Sequence, residues 1–200
     1  QRCHCLEADG IIAKQTVARL NWSVEYRIKL IDDSINKLQK LIFSSKTILV
    51  NIPTYKLYAF DNENQNFSMR VIVGRPGRRT PLMTSYIDSI EFYPEWVIPP
   101  TIFREDILPK IPLGNPEKYF EEKNLTLISN DDDSETDPSE IKWDEINPDS
   151  FHYHIVQASG KDSPLGLIKF NLQDNDYVYM HDTENKSLFK KADRDLSSGC

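Results

Sequence analysis

Hydrophobic and polar positions divide the chain into stretches of different period. A turn at Leu6-Glu7-Ala8-Asp9-Gly10 leads into a short helix over Ile11 to Leu20. From Ser23, a favourable N-cap, apolar residues recur at Val24, Ile28, Ile31, Ile35, Leu38 and Ile42. Alternating spacings of four and three put them on one helical stripe, expected to pack on a neighbour. The stripe is too short for a dimeric coiled coil. From Thr47 the period becomes extended. Thr47–Ile52, Tyr55–Phe60 and Phe67–Gly74 are rich in β-branched and aromatic residues, and Asp61-Asn62-Glu63-Asn64 is a polar turn between the last two. This predicts an antiparallel meander. Ile87–Tyr93, Phe151–Gln157, Leu167–Leu172 and Tyr177–His181 supply further strands.

Between the two strand-rich regions, residues 101–150 carry prolines at 109, 112, 116, 138 and 148. They read as an insertion into a β domain, with a short helix within Pro116–Leu127 and a mobile loop at 129–140. Charge sharpens that division. The chain of 200 residues carries a net −7, which disfavours nucleic acid as a partner. Residues 131–149 hold nine acids against Lys142 alone, so the other 181 residues carry a net +1. The acidity belongs to the insertion, and the body is nearly neutral. No run approaches the ~18 apolar residues of a membrane span, and no apolar core of a signal peptide is present. The chain opens on Gln1 and stops on Cys200, so both ends read as cut. Cys3, Cys5 and Cys200 cannot all pair, and the first two are too close for an ordinary bridge, so no disulfide framework is expected.

Candidate chemistry concentrates in the last twenty residues. His181 ends the strand Tyr177-Val178-Tyr179-Met180, and Cys200 follows Ser197-Ser198-Gly199. A cysteine nucleophile needs a base and backbone N–H groups aimed at a developing oxyanion. A turn built on Gly199 can present such N–H groups, and a histidine at a strand end is held firmly enough to act as base. Taken alone, one cysteine and one histidine at this spacing do not distinguish a dyad from coincidence. His152 and His154 share a strand face without a third ligand nearby, and Cys3-His4-Cys5 sits at the chain's beginning; neither reads as a metal site.

Five motifs occur in order: Val71-Ile72-Val73-Gly74-Arg75-Pro76 with Arg79-Thr80-Pro81-Leu82-Met83; Trp96-Val97-Ile98-Pro99-Pro100; Leu165-Gly166 with Lys169-Phe170; His181-Asp182-Thr183; and Ser197-Ser198-Gly199-Cys200. Together they resemble the L,D-transpeptidase catalytic domain (YkuD type), within the large Gram-negative branch that carries an N-terminal peptidoglycan-binding module. Residues 6–12, Thr16 and 18–21 are similar to the end of such a module. The resemblance implies a mainly β sandwich over 46–200 with an inserted α/loop capping subdomain at 101–150. It also implies a linker helix over 23–45 and the module's end over 1–22.

For the matched positions, the resemblance implies Cys200 as nucleophile and His181 as base. The imidazole would be oriented by the backbone carbonyl of Asp182. N–H groups of Ser198, Gly199 and Cys200 would form the oxyanion hole. Apart from the matched positions, Arg75, Arg78 and Arg79 flank Thr80-Pro81 and read either as attracting stem-peptide carboxylates or as a solvated loop, and Trp96 reads either as a substrate wall or as packing between strands. The implied reaction forms 3→3 cross-links in periplasmic peptidoglycan through a thioester, from a tetrapeptide donor to an amine acceptor, without metal or organic cofactor. Its implied role is in cell-wall organisation and cell shape. Related outcomes are attachment or release of a wall-linked lipoprotein, and a non-catalytic wall-binding protein on the same fold. Three positions depart from the family pattern: Asp182 where many members have glycine, Ala13 where the module has glycine, and the missing apolar residue and Arg after Cys200. A chain ending on its nucleophile puts a carboxylate beside the thiol and opposes thiolate formation. This fragment by itself is therefore expected to be poorly active or inactive.

Overall fold

A computed structural model describes residues 1, 6, 10–38, 45–62, 64–160 and 163–200. The expectations that fall on residues 7–9, Ile42, Glu63 and Cys3-His4-Cys5 lie outside them. The chain is mainly β with few, short helices, as the sequence reading expects. It divides into two compact units, residues 1–80 with 187–199 and residues 81–186 with Cys200.

The first unit begins with α1 (Lys14–Leu20) and α2 (Val24–Leu38). The Ser23 hydroxyl accepts the N–H of Tyr26 at 3.2 Å, as its N-cap position predicts. Among the described residues the packing expected of α2 is not found: Val24, Ile28, Ile31 and Ile35 are 66, 53, 58 and 45% exposed. A helical period marks which residues share a face but not what covers it. The predicted meander forms from β1 (Lys46–Asn51), β2 (Lys56–Asp61) and β3 (Asn64–Arg70), paired antiparallel in that order. The third predicted strand breaks in two: the Val71 N–H still bonds the Tyr55 carbonyl, one step beyond the β2–β3 ladder, but the Val73 N–H turns to the Arg194 carbonyl. The remainder is a two-residue strand, β4 (Val73–Gly74).

In the second unit, β5 (Ile87–Phe92) is followed by β6 (Trp96–Val97), then irregular helical chain from Pro100 to Lys110. The helix expected after Pro116 forms as α3 (Pro116–Glu122), with Asn115 Oδ1 capping the Lys118 N–H at 3.1 Å. It stops where Asn124 turns at φ +51, and the chain continues as β7 (Leu125–Ser129), β8 (Glu135–Thr136) and β9 (Tyr153–Gln157). These strands and β6 form one sheet in the order β6-β9-β7-β8. The loop expected at 129–140 is therefore an ordered hairpin and turn. Ile98, Phe103, Ile111, Phe120, Leu127, Trp143 and Ile155 pack there into one buried cluster. Phe103 stacks on Phe151 at 4.7 Å, and the Trp143 indole N–H donates to the Pro138 carbonyl at 2.7 Å.

The site itself rests on a separate sheet. In it β10 (Ile168–Leu172) lies between β5 and β11 (Asn175–His181), antiparallel to both, so β11 is an edge strand. The chain then returns to the first unit, where β12 (Asp195–Ser197) pairs in parallel with β4. Arg194, only 7% exposed, secures this return. Its guanidinium donates to the carbonyls of Val71 at 3.1 Å, Tyr55 at 3.0 Å and Lys191 at 2.6 Å. That fork geometry suits arginine and no other side chain.

Candidate active site

In an antiparallel strand the carbonyl of one residue and the N–H two residues later point to the same side. On the edge strand β11 that pairing matters at Tyr177 and Tyr179. Cys200 Sγ lies 3.5 Å from the Tyr177 carbonyl, to which the thiol donates. Burial pushes the Cys200 thiol above its ordinary value, while a hydrogen bond from the Tyr179 backbone and the charge of Lys169 work the other way. Cys200 is half-buried and is not in a disulfide.

Two residues along the same strand, His181 Nδ1 donates to the Asp182 carbonyl at 2.5 Å. This contact puts the proton on Nδ1 and leaves the lone pair on Nε2. Burial is the largest influence on His181 and, with Lys169, lowers its pKa. Carbonyls of Asp182 and Pro164 and the Asp182 carboxylate oppose the shift without reversing it. The ring is therefore neutral at pH 7, the form that accepts a proton. Tyr179 stands edge-on to it at 5.7 Å between ring centroids. Burial holds the Tyr179 phenol far above its ordinary value, the charge of Cys200 adds to this, and a hydrogen bond with Trp96 partly offsets it.

Asp182, the departure from the family pattern, has a structural role of its own. Its carboxylate accepts the Leu167 N–H at 3.2 Å and pairs with Lys186. Burial acts to raise its pKa, but the hydrogen bonds from Lys186, Thr183 and Leu167 outweigh it and hold the group ionised. Gly166 makes room for it: at φ +63, a Cβ there would meet Asp182 Oδ2 at 2.5 Å.

The remaining candidates divide between the two units. Trp96 lies in the second unit on β6, and its indole meets the Tyr179 hydroxyl rather than open solvent. Ser198, Gly199, Arg75 and Arg79 belong to the first unit, and the chain crosses to the second between Gly199 and Cys200. Gly199 adopts φ +126, a conformation that requires glycine. Its N–H, an expected oxyanion donor, is taken by the Ser197 hydroxyl at 3.2 Å. Arg75 is placed by its backbone, whose N–H donates to the Ser197 carbonyl at 3.0 Å. Arg79 Nε folds back onto the Pro76 carbonyl at 3.3 Å. Arg78, flanked by these two, reaches the Ser198 hydroxyl at 3.3 Å. Gly74 packs under this turn so closely that a Cβ would lie 2.2 Å from the Arg78 carbonyl. Among the described residues, no three His, Cys, Asp or Glu side chains group as metal ligands; His154 Nδ1 instead contacts Asn130 Oδ1 at 2.7 Å.

Sequence reasoning did not single out Lys169, Glu91 or Tyr179. Lys169 stood inside a quoted motif, and Tyr179 stood two residues before His181 on the same strand face. What the sequence lacks is the register that sets Lys169 opposite both Glu91 and His181.

A half-buried thiol on the strand that ends in a neutral, carbonyl-anchored histidine is an arrangement suited to acyl transfer. Comparison with known proteins gives the family. The L,D-transpeptidase catalytic domain model (YkuD) matches residues 45–200. A Haemophilus influenzae protein described as a "Putative L,D-transpeptidase" is 41% identical over 153 residues, covering 76% of this chain. The chain spans about 30% of that relative's length. The match to the catalytic-domain model over most of the chain shows that this protein belongs to the L,D-transpeptidase (YkuD) family.

Proposed function

We propose that the full protein is a cysteine-dependent L,D-transpeptidase that forms 3→3 cross-links in peptidoglycan in the periplasm. The observation that carries this reading is the edge of β11, which holds the Cys200 thiol and ends in the His181 base. His181 Nε2 takes the thiol proton as Cys200 Sγ attacks the carbonyl at the third residue of a stem tetrapeptide. The oxyanion that forms collapses, and the C–N bond breaks. The departing D-alanine takes the proton from His181. A thioester remains on Cys200. The side-chain amine of a second stem then attacks the thioester, gives its proton to His181, and leaves as the cross-linked amide while the thiolate is regenerated. Backbone N–H groups of Ser198, Gly199 and Cys200 are the donors for the oxyanion in this reading, and the Ser197 hydroxyl must release the Gly199 N–H for it to serve.

The test is incubation of the full-length protein with a carbapenem and with isolated sacculi. An acyl adduct on Cys200, absent in Cys200→Ser, and 3→3 dimers among the digested muropeptides are the expected results. An adduct with lipoprotein joined to or freed from the wall, and no dimers, would reassign the acceptor. No adduct on a folded protein that still pulls down sacculi would sink the enzymatic reading.

A further inference from the structure

Glu91 on β5, Lys169 on β10 and His181 on β11 are direct partners across the sheet, so the three side chains share one face in one row. Tyr179 lies on the same face, one step along β11. The Lys169 ammonium sits 4.7 Å from the centre of the Tyr179 ring and 3.6 Å from Glu91 Oε2. Its side chain is 17% exposed, whereas that of Glu91 is 42% exposed. Lysine ordinarily extends its stem to bring the ammonium into water. Here the ammonium turns inward, over an aromatic face, toward the end of the row where His181 and Cys200 lie. Its counter-charge is incomplete: Glu91 is the more solvated partner, and its other oxygen is taken by Asn171 Nδ2. The nearby Asp182 carboxylate is matched by Lys186.

We propose that Lys169 is the fixed positive charge against which the Cys200 thiolate forms, a positioning residue acting through nucleophile and base rather than on substrate. This rests on Cys200 being the nucleophile. The charge favours the anionic sulfur, and by disfavouring the protonated imidazole it keeps His181 a free base until the thiol gives up its proton. Glu91 sets the strength of that charge from the far side, and Tyr179 holds it in place without being able to ionise.

The test is the pH dependence of iodoacetamide alkylation in the full-length protein, read by mass spectrometry at the Cys200 peptide so that Cys3 and Cys5 do not contribute. Lys169→Met raises the alkylation midpoint by about one unit, lowering the thiolate fraction at pH 7 about tenfold. Lys169→Arg keeps the midpoint near the wild type, and Glu91→Gln moves it down. The acid limb of turnover moves in the same direction as the thiol in each variant. Equal midpoints, or Lys169→Met and Glu91→Gln moving the midpoint the same way as lost packing would, overturn the proposal. Should Lys169→Met fail to fold, Glu91→Gln alone decides, since it leaves the ammonium in place. A Cys200 that alkylates with these shifts yet accepts no acyl group from a carbapenem would overturn the transpeptidase reading and leave the Lys169 assignment standing.

Discussion

Gly166→Ala tests whether the close approach of the 163–166 turn to Asp182 organises the base. The backbone there is at φ +63, and a Cβ would stand 2.5 Å from Asp182 Oδ2 and 2.7 Å from its Cβ and Cγ. The left-handed conformation costs a non-glycine residue about 1–2 kcal/mol. Displacing a fixed neighbour adds about 1–3 kcal/mol. The total expected loss is about 2–5 kcal/mol, measured by urea unfolding of the variant against the wild type. The collision also has a functional reading. Moving Asp182 breaks its bond to the Leu167 N–H and disturbs the carbonyl that holds His181 Nδ1. The acylation rate of Cys200 falls accordingly. Asp182→Gly, placed on top of Gly166→Ala, removes the collision, so the double variant loses less stability than the sum of the two single changes. A change below about 0.5 kcal/mol, the range of ordinary surface substitutions, would refute the reasoning. So would strict additivity in the cycle.

Four other outcomes follow from three groups already described. Only neutral His181 accepts the thiol proton, and burial holds it below its ordinary 6.5, so acylation stays level as pH falls through 6.5 and declines only below it. The same depressed value makes its contribution to stability complete above 6.5 and lost as pH falls toward the folded pKa; His181→Gln flattens that dependence in pH-resolved denaturation. Arg194→Met leaves the carbonyls of Val71, Tyr55 and Lys191 without their shared donor and costs about 2–4 kcal/mol by chemical denaturation, with no rescue by lysine. Trp143→Ala, at a position 6% exposed, removes about 3–5 kcal/mol from the inserted sheet and speeds amide exchange at Tyr153–Gln157; unchanged exchange would refute it.

Much of the strand pattern was legible because β-branched and aromatic runs keep their period whatever they pair with. β1, β2, β5, β10 and β11 lie within a residue or two of their expected bounds. The unexpected strands are short or polar. β6 and β8 have two residues each, and β12 has three; no periodicity can develop over such lengths. β7 hid behind α3, because its first three residues fall inside the one short helix expected within Pro116–Leu127, and the break comes at Asn124. At the site, the chain order of His181 and Cys200 could be read directly. The anchoring of the imidazole by Asp182 was an expectation of the resemblance alone, since a contact of the ring with the next residue's carbonyl, His181 Nδ1 on Asp182, leaves no mark in the sequence pattern. Lys169 could not be singled out, because its meaning depends on register, and register is set by contacts distant in sequence.

The acidic segment shows why composition misled about order while it located charge correctly. A run with nine acids reads as solvated chain, since like charges repel and apolar residues are few. Yet Asp132 accepts the N–H and hydroxyl of Ser134 at 3.2 and 2.8 Å, and Asp137 accepts those of Ser139 at 2.9 and 2.8 Å. Hydrogen bonds from Ser134 hold Asp132 below its ordinary value, and those from Ser139 do the same for Asp137. Each charge is therefore spent on closing a turn, and the turns bring Ile141 and Trp143 back onto the cluster around Phe120 and Leu127. Deleting 112–150 to ask whether this segment covers a substrate would remove Phe120, Leu127 and Trp143 and uncover Ile98, Phe103 and Ile155. Loss of turnover would then report a broken core. Neutralising the exposed Asp131 and Asp133 at the hairpin leaves that core intact, so only this change separates the segment's charge from its packing.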